Sequence, residues 1–199
     1  MRLFIKICGL RDAESVAAAV NAGTDAVGFV FADSARQVTA AEAHIAATEI
    51  PDNVMRVAVM RHPSNDEWRS VLETFGPDVL QTDIEDFDSL DVPGHILTWP
   101  VIREGSVAAT GELPDVFVYE GKNSGTGEAV NWSNAAQMAD RGRMILAGGL
   151  AADNVASAIK TARPWGVDVS SGVELAPGRK DVKLIEQFII AARAAENDR

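Results

Sequence analysis

Short runs of Val, Ile, Leu and Phe without polar alternation recur along the whole chain, at residues 3–7, 26–30, 54–59, 79–80, 96–99, 116–119, 144–147 and 167–169. Runs of that length and character are what strands buried on both faces of a parallel sheet look like. Between most of them lie Ala-rich stretches with helical spacing, at 12–21, 40–48, 65–75, 132–140, 153–161 and 182–195. Asp12, Asp153 and Asp181 stand where N-caps belong, with a short carboxylate for the orphan N–H groups of a first turn. Helix signals are weak at 84–90 and 103–109, so the fourth and fifth helices are expected to be reduced.

A strand–helix alternation sustained from end to end predicts a parallel sheet. Eight such units in 199 residues predict a compact (β/α)8 TIM barrel of class α/β, with an open doubly wound sheet as the structural alternative. No linker, low-complexity tract or charge block divides the chain, so residues 1–199 are read as one domain.

In such a barrel the chemistry gathers at the C-terminal ends of the strands. The first run ends Lys6-Ile7-Cys8-Gly9-Leu10. With a period of two, Ile5 and Ile7 face the helices while Lys6 and Cys8 point into the barrel. A thiol at that rim serves as base or nucleophile if nearby positive charge favours the thiolate. By composition alone a lone Cys is more often a small buried hydrophobe, and both readings stay open. The sixth run ends Val118-Tyr119-Glu120-Gly121, which places Glu120 on the inward face at the same rim. A carboxyl group between apolar walls can act as a general acid; the alternative is a rim carboxylate paired with Lys122 or Lys6. The Gly-rich stretch Lys122-Asn123-Ser124-Gly125-Thr126-Gly127 is a candidate lid.

The seventh and eighth runs end in Gly148-Gly149 and Ser170-Ser171-Gly172. Small residues let backbone N–H groups close on a phosphate, and barrels often hold one between these two loops. Two glycine turns with no ligand are the plain alternative. Arg36, after the second run, is a candidate fork for a carboxylate.

Composition narrows the partners. The formal net charge is −11, which argues against nucleic acid or an anionic membrane, since both are held by clustered Lys and Arg. No apolar run approaches the ~20 residues of a membrane span. One Cys excludes a disulfide framework and a Cys-cluster metal site, and fits a reducing, cytoplasmic setting. His44, His62 and His95 have no ligand spacing, and neither a dinucleotide fingerprint nor a P-loop is present, so no metal and no cofactor are expected. The two small-residue turns suggest a small phosphorylated ligand; monomer and homodimer are both open.

The segments Lys6–Leu10, Asp25-Ala26-Val27-Gly28-Phe29-Val30-Phe31, Ser34-Ala35-Arg36, Ser124-Gly125-Thr126-Gly127 with Asn131-Trp132, Gly148-Gly149-Leu150 with Asn154-Val155, and Val167–Glu174 with Pro177-Gly178-Arg179-Lys180-Asp181 resemble, in order, the phosphoribosylanthranilate isomerases. The resemblance is weak between about residues 60 and 115. It implies a cofactor-free Amadori rearrangement of N-(5-phosphoribosyl)anthranilate in tryptophan biosynthesis. It also implies Cys8 as general base, Glu120 as general acid, Arg36 on the anthranilate carboxylate, Asp168 on the amine or sugar, and Gly148, Gly149, Ser170, Ser171 and Gly172 around the phosphate. The chain departs from the family's usual pattern in three places: Glu120 stands for an Asp, Gln37 for an aromatic, and Gln81-Thr82-Asp83-Ile84 for Gln-Leu-His-Gly. The alternatives are a dual-specificity isomerase that also serves histidine biosynthesis, and a silent barrel that binds phosphorylated ligands.

Overall fold

The computed structural model describes residues 2–106, 112–122 and 130–198. Eight parallel strands, β1 (Phe4–Cys8), β2 (Ala26–Val30), β3 (Met55–Val59), β4 (Val79–Asp83), β5 (Leu97–Arg103), β6 (Val116–Glu120), β7 (Arg143–Leu146) and β8 (Gly166–Val169), close into a barrel. Closure comes from β8 pairing back on β1, with Lys6 in register with Asp168. The chain is therefore the barrel that its alternation predicts, and not the open sheet.

Among the described residues six α-helices cover the strands: α1 (Ala13–Ala22), α2 (Ala40–Ala46), α3 (Asn65–Phe75), α4 (Trp132–Ala139), α5 (Val155–Ala162) and α6 (Val182–Ala194). Asp12 and Asp181 cap α1 and α6 by accepting from the Ser15 and Leu184 amides, contacts worth about 1 kcal/mol each. Asp153 does not cap α5. The N-cap position there is Asn154, whose side chain turns away from the helix to bind the preceding loop. The link after β4 carries a five-residue 3-10 helix, Ile84–Asp88, and the described residues between β5 and β6 carry no helix.

The period-two reading of β1 decides how the chain buries its apolar surface. Ile5 and Ile7 join Phe29, Phe117 and Val167 in the layer beneath the helices, sealed by Trp68, Ile159 and Phe188. Inside the barrel, Ala26, Val57, Val79, Val101, Val118 and Ile145 fill the middle. Phe4 stacks on Trp165 at 4.6 Å and meets Trp99 edge-on at 5.5 Å, plugging the N-terminal end. With that end closed by aromatic packing, the remaining space in the barrel opens at the opposite rim.

Two strands run further than their apolar runs predict. β4 continues through Gln81, Thr82 and Asp83, and β5 through Arg103, because the inward positions at this rim are polar. A small antiparallel hairpin, β9 (Glu174–Ala176) and β10 (Arg179–Lys180), follows β8 and leads into α6. Among the described residues no helix is long and apolar enough to cross a membrane.

Candidate active site

The cavity at the C-terminal rim is lined by Cys8, Arg36, Glu120, Gly148, Gly149, Asp168, Ser170 and Ser171, joined by Gln81, Asp83 and Arg103. Eight of the nine candidate residues thus meet in one place. The ninth, Gly172, does not line the cavity; a Cβ there would sit 1.9 Å from the Leu150 carbonyl oxygen. Its missing side chain lets the loop after β8 pack against the loop after β7. Of the candidate lid, Lys122 to Gly127, residues 123–127 lie outside the described residues.

Cys8 is buried and faces inward above Lys6. The Lys6 ammonium is fully enclosed and donates to Asp168 Oδ2 at 2.8 Å. Burial alone would push the Lys6 pKa down; Asp168 and Cys8 opposite it prevail, so Lys6 is held above its ordinary value. Burial pushes the Cys8 thiol up, with the Asp168 charge adding to it, and the pull of Lys6 and Lys180 does not overcome this. The positive charge that favours a thiolate is therefore in place, but burial and the Asp168 charge outweigh it. Burial likewise raises Asp168 against the pull of Lys6. Asp168 Oδ1 and Gln81 Oε1, both on cavity-lining residues, are buried with no hydrogen-bond partner among the described residues. An unpaired buried acceptor costs about 1–3 kcal/mol, and a ligand N–H or O–H would recover it.

The two loops of the phosphate candidate are built differently. Gly148 and Gly149 have φ of +94° and +65°, a left-handed turn that a side chain would strain. Asn154 fastens this turn by donating to the Gly149 carbonyl at 2.8 Å and accepting from the Ala151 amide at 2.9 Å. The other loop is fastened by Lys180, which donates to Ser170 O at 2.9 Å and Ser170 Oγ at 3.2 Å.

Lys180 also meets Glu174 at 2.8 Å, and Glu174 in turn accepts the Arg36 fork at 2.8 and 2.9 Å. Burial would push the Glu174 carboxyl up, but Arg36 and Lys180 more than offset it and hold it below its ordinary value. A depressed carboxyl contributes stability that is full above the unfolded-state pKa of about 4.3 and lost as pH falls through the folded value. Glu174→Gln is expected to lower the thermal midpoint at neutral pH, with a gap to wild type that narrows in acid, as calorimetry at several pH values would show. A gap of constant size would contradict this.

On the far side of the cavity, Glu120 accepts from Arg103 Nη1 at 2.5 Å; Arg103 Nη2 donates to Asp83 Oδ1 at 2.6 Å. Sequence reasoning placed Arg103 in an irregular link; it ends β5 on the inward face, two steps beyond Val101. His62, Asp83 and Asp86 also converge, with candidate ligand atoms all within 4.8 Å of one another. Their groups are already engaged: His62 Nδ1 lies 2.8 Å from Asp86, and Asp83 holds Arg103. Arg103, Lys180 and Glu174 escaped the sequence reading. The signal for Arg103 was available, as a charge closing the inward alternation Trp99, Val101, Arg103.

A family model described as N-(5'-phosphoribosyl)anthranilate (PRA) isomerase matches residues 5–191. The N-(5'-phosphoribosyl)anthranilate isomerase of Listeria monocytogenes serotype 4b is 35% identical over 206 residues, spanning 98% of this chain and 100% of the relative. The crystal structure of phosphoribosyl anthranilate isomerase from Thermotoga maritima superimposes with a TM-score of 0.85 at 31% identity, covering 96% of this chain and 99% of that one. A phosphoribosyl anthranilate isomerase in complex with reduced 1-(o-carboxyphenylamino)-1-deoxyribulose 5-phosphate superimposes with a TM-score of 0.82 at 31% identity, over 96% of this chain and 99% of that one. Matched across nearly its whole length in sequence and in fold, the chain belongs to the N-(5'-phosphoribosyl)anthranilate isomerase family.

Proposed function

We propose that this chain isomerises N-(5-phosphoribosyl)anthranilate to 1-(2-carboxyphenylamino)-1-deoxyribulose 5-phosphate, the Amadori step of tryptophan biosynthesis, as a single cytoplasmic (β/α)8 domain acting by acid–base catalysis. The observation that carries this reading is one cavity with a thiol on β1, a carboxyl on β6 and two fastened small-residue loops after β7 and β8.

The substrate is read with its 5′-phosphate against the amides of Gly148, Gly149, Ser170 and Ser171, neutral donors that let an acidic protein hold an anion. Gly172 serves this subsite by letting the two loops touch. Glu120 gives a proton to the ribose ring oxygen as the C1′–O bond breaks, and the anilino nitrogen lone pair closes the Schiff base. Cys8, as thiolate, takes the C2′ proton; the freed electron pair forms the C1′–C2′ double bond and returns the iminium electrons to nitrogen. The enolamine then takes a proton at C1′ and loses its 2′-hydroxyl proton, which gives the ketone. Base and acid on opposite walls suit this order of proton transfers. Asp168 Oδ1 is read as the acceptor for the anilino N–H or a sugar hydroxyl, which would relieve its unpaired state.

Arg36 is read as the partner of the anthranilate carboxylate, with Glu174 holding the guanidinium in place at the cavity wall. The test is turnover of the purified protein on phosphoribosylanthranilate, followed by loss of substrate fluorescence, beside Arg36→Ala. Wild type is expected to turn over, with Arg36→Ala raising KM by about 10-fold or more at a kcat near wild type, since it removes ground-state binding. No wild-type turnover would remove the proposed reaction, and an unchanged KM would remove the role of Arg36.

A further inference from the structure

Two carboxylates, on the strands either side of β5, share one guanidinium at the edge of the cavity. In the barrel register Arg103 on β5 lies beside Glu120 on β6, and Asp83 on β4 lies beside Val101, one inward position before Arg103. The fork spans both neighbours, with Nη1 on Glu120 and Nη2 on Asp83. All three side chains are largely withdrawn from water, at 21% exposure for Arg103, 6% for Asp83 and 16% for Glu120. Asp83 is itself backed by His62, whose Nε2 lies 3.6 Å from Asp83 Oδ2, and His62 is anchored through Asp86, which also accepts from Thr82.

We infer that Arg103 is a positioning residue for the acid, fixing the Glu120 carboxyl at the cavity while Asp83 supplies the charge that keeps Arg103 paired through the proton-transfer cycle. The inference rests on the reading of Glu120 as the acid.

Two physical arguments carry it. A Glu side chain has several rotatable bonds, and leaving it loose at the rim would cost orientation in every turnover; a planar fork with fixed donor directions removes that freedom. The second argument is charge. A lone Arg–Glu pair would oppose any proton on Glu120, because its uptake would strand a withdrawn guanidinium without a counter-ion, and such unpaired charges are costly. With Asp83 as a second partner the trio carries a formal charge of −1 while Glu120 is ionised and 0 when it is protonated. Arg103 keeps an ionised partner in both states. No atom of the substrate need touch Arg103 or Asp83 for this to work.

The experiment is a kinetic cycle on phosphoribosylanthranilate with wild type, Arg103→Met, Asp83→Asn, Glu120→Gln and the Arg103→Met/Glu120→Gln double variant, each checked for folding by circular dichroism. Arg103→Met and Asp83→Asn are expected to lower kcat by about 10-fold or more with KM changed less than about 3-fold, and Arg103→Lys to recover part of the loss. In the Glu120→Gln background the Arg103→Met substitution is expected to add less than about 3-fold, since it acts through a group already removed. Equal losses in both backgrounds, or wild-type kcat in Arg103→Met, would overturn the inference. Should Arg103→Met fail to fold, the nearly isosteric Asp83→Asn decides: its kcat at the wild-type value overturns the inference equally. Wild-type turnover in Glu120→Gln alone would overturn the assignment of the acid and the inference with it, a result distinct from collapse in Glu120→Gln without loss in the other variants.

Discussion

Glu120→Gln is expected to lower kcat on phosphoribosylanthranilate by at least ~100-fold with little change in thermal midpoint, the loss that follows when a general acid cannot give a proton. Gln keeps the length of the side chain and an oxygen to accept from Arg103, whose Nη1 donates to Glu120 Oε1, so the geometry of the rim is retained and the proton is not. That is why the effect should fall on kcat. KM is expected to move little, because the phosphate loops and Arg36 lie elsewhere on the wall. Glu120→Asp makes the complementary variant: it keeps the proton and shortens the reach by one methylene, and a misplacement of about 1 Å can cost on the order of 100-fold. Activity near wild type in Glu120→Gln would show that the carboxyl on β6 is only an ion-pair partner of Arg103.

Cys8→Ala is expected to lower kcat by at least ~100-fold as well. The deletion removes one sulfur from a residue at 7% exposure, so the folded state should survive, and circular dichroism should show it. The wild-type pH profile carries a second mark of the same group. Burial, with the Asp168 charge, raises the Cys8 thiol against the opposing pull of Lys6 and Lys180. A raised thiol pKa means that the thiolate fraction in the free enzyme is small at neutrality and grows with pH. Since kcat/KM follows the free enzyme and needs both the thiolate and a protonated acid, the limb of its profile that reports Cys8 should lie above the ordinary thiol value of about 8.5. Both limbs below that value, or near-normal turnover in Cys8→Ala, would return Cys8 to the role of a small packed hydrophobe.

The fold was legible because parallel strands covered on both faces must be apolar at successive positions, and the core bears this out: Ile5 and Ile7 pack under the helices while Lys6 and Cys8 share the interior. What the pattern could not show is where strands end at the functional rim. Gln81, Asp83 and Arg103 are inward-facing and polar, so by composition they look like loop although they extend β4 and β5. The Asp83–Arg103–Glu120 trio was hidden for another reason. Its members lie 17 and 20 residues apart from Arg103, and only barrel register makes neighbours of them. Asp153 illustrates the limit of local rules: a capping residue type one place before the true cap position, where Asn154 is spent on holding the Gly149 loop instead. Gly172 was a candidate for its smallness, but what that smallness serves, contact with the Leu150 carbonyl, depends on a loop more than twenty residues away.

The most direct test of the account is the rate of phosphoribosylanthranilate loss with purified wild type beside the Cys8→Ala/Glu120→Gln double variant, both folded by circular dichroism and followed by fluorescence under one set of conditions. The account predicts sustained turnover by wild type and a double variant no faster than spontaneous loss of the substrate. Comparable rates from the two proteins, or no turnover by wild type where another isomerase of the family is active, would contradict it.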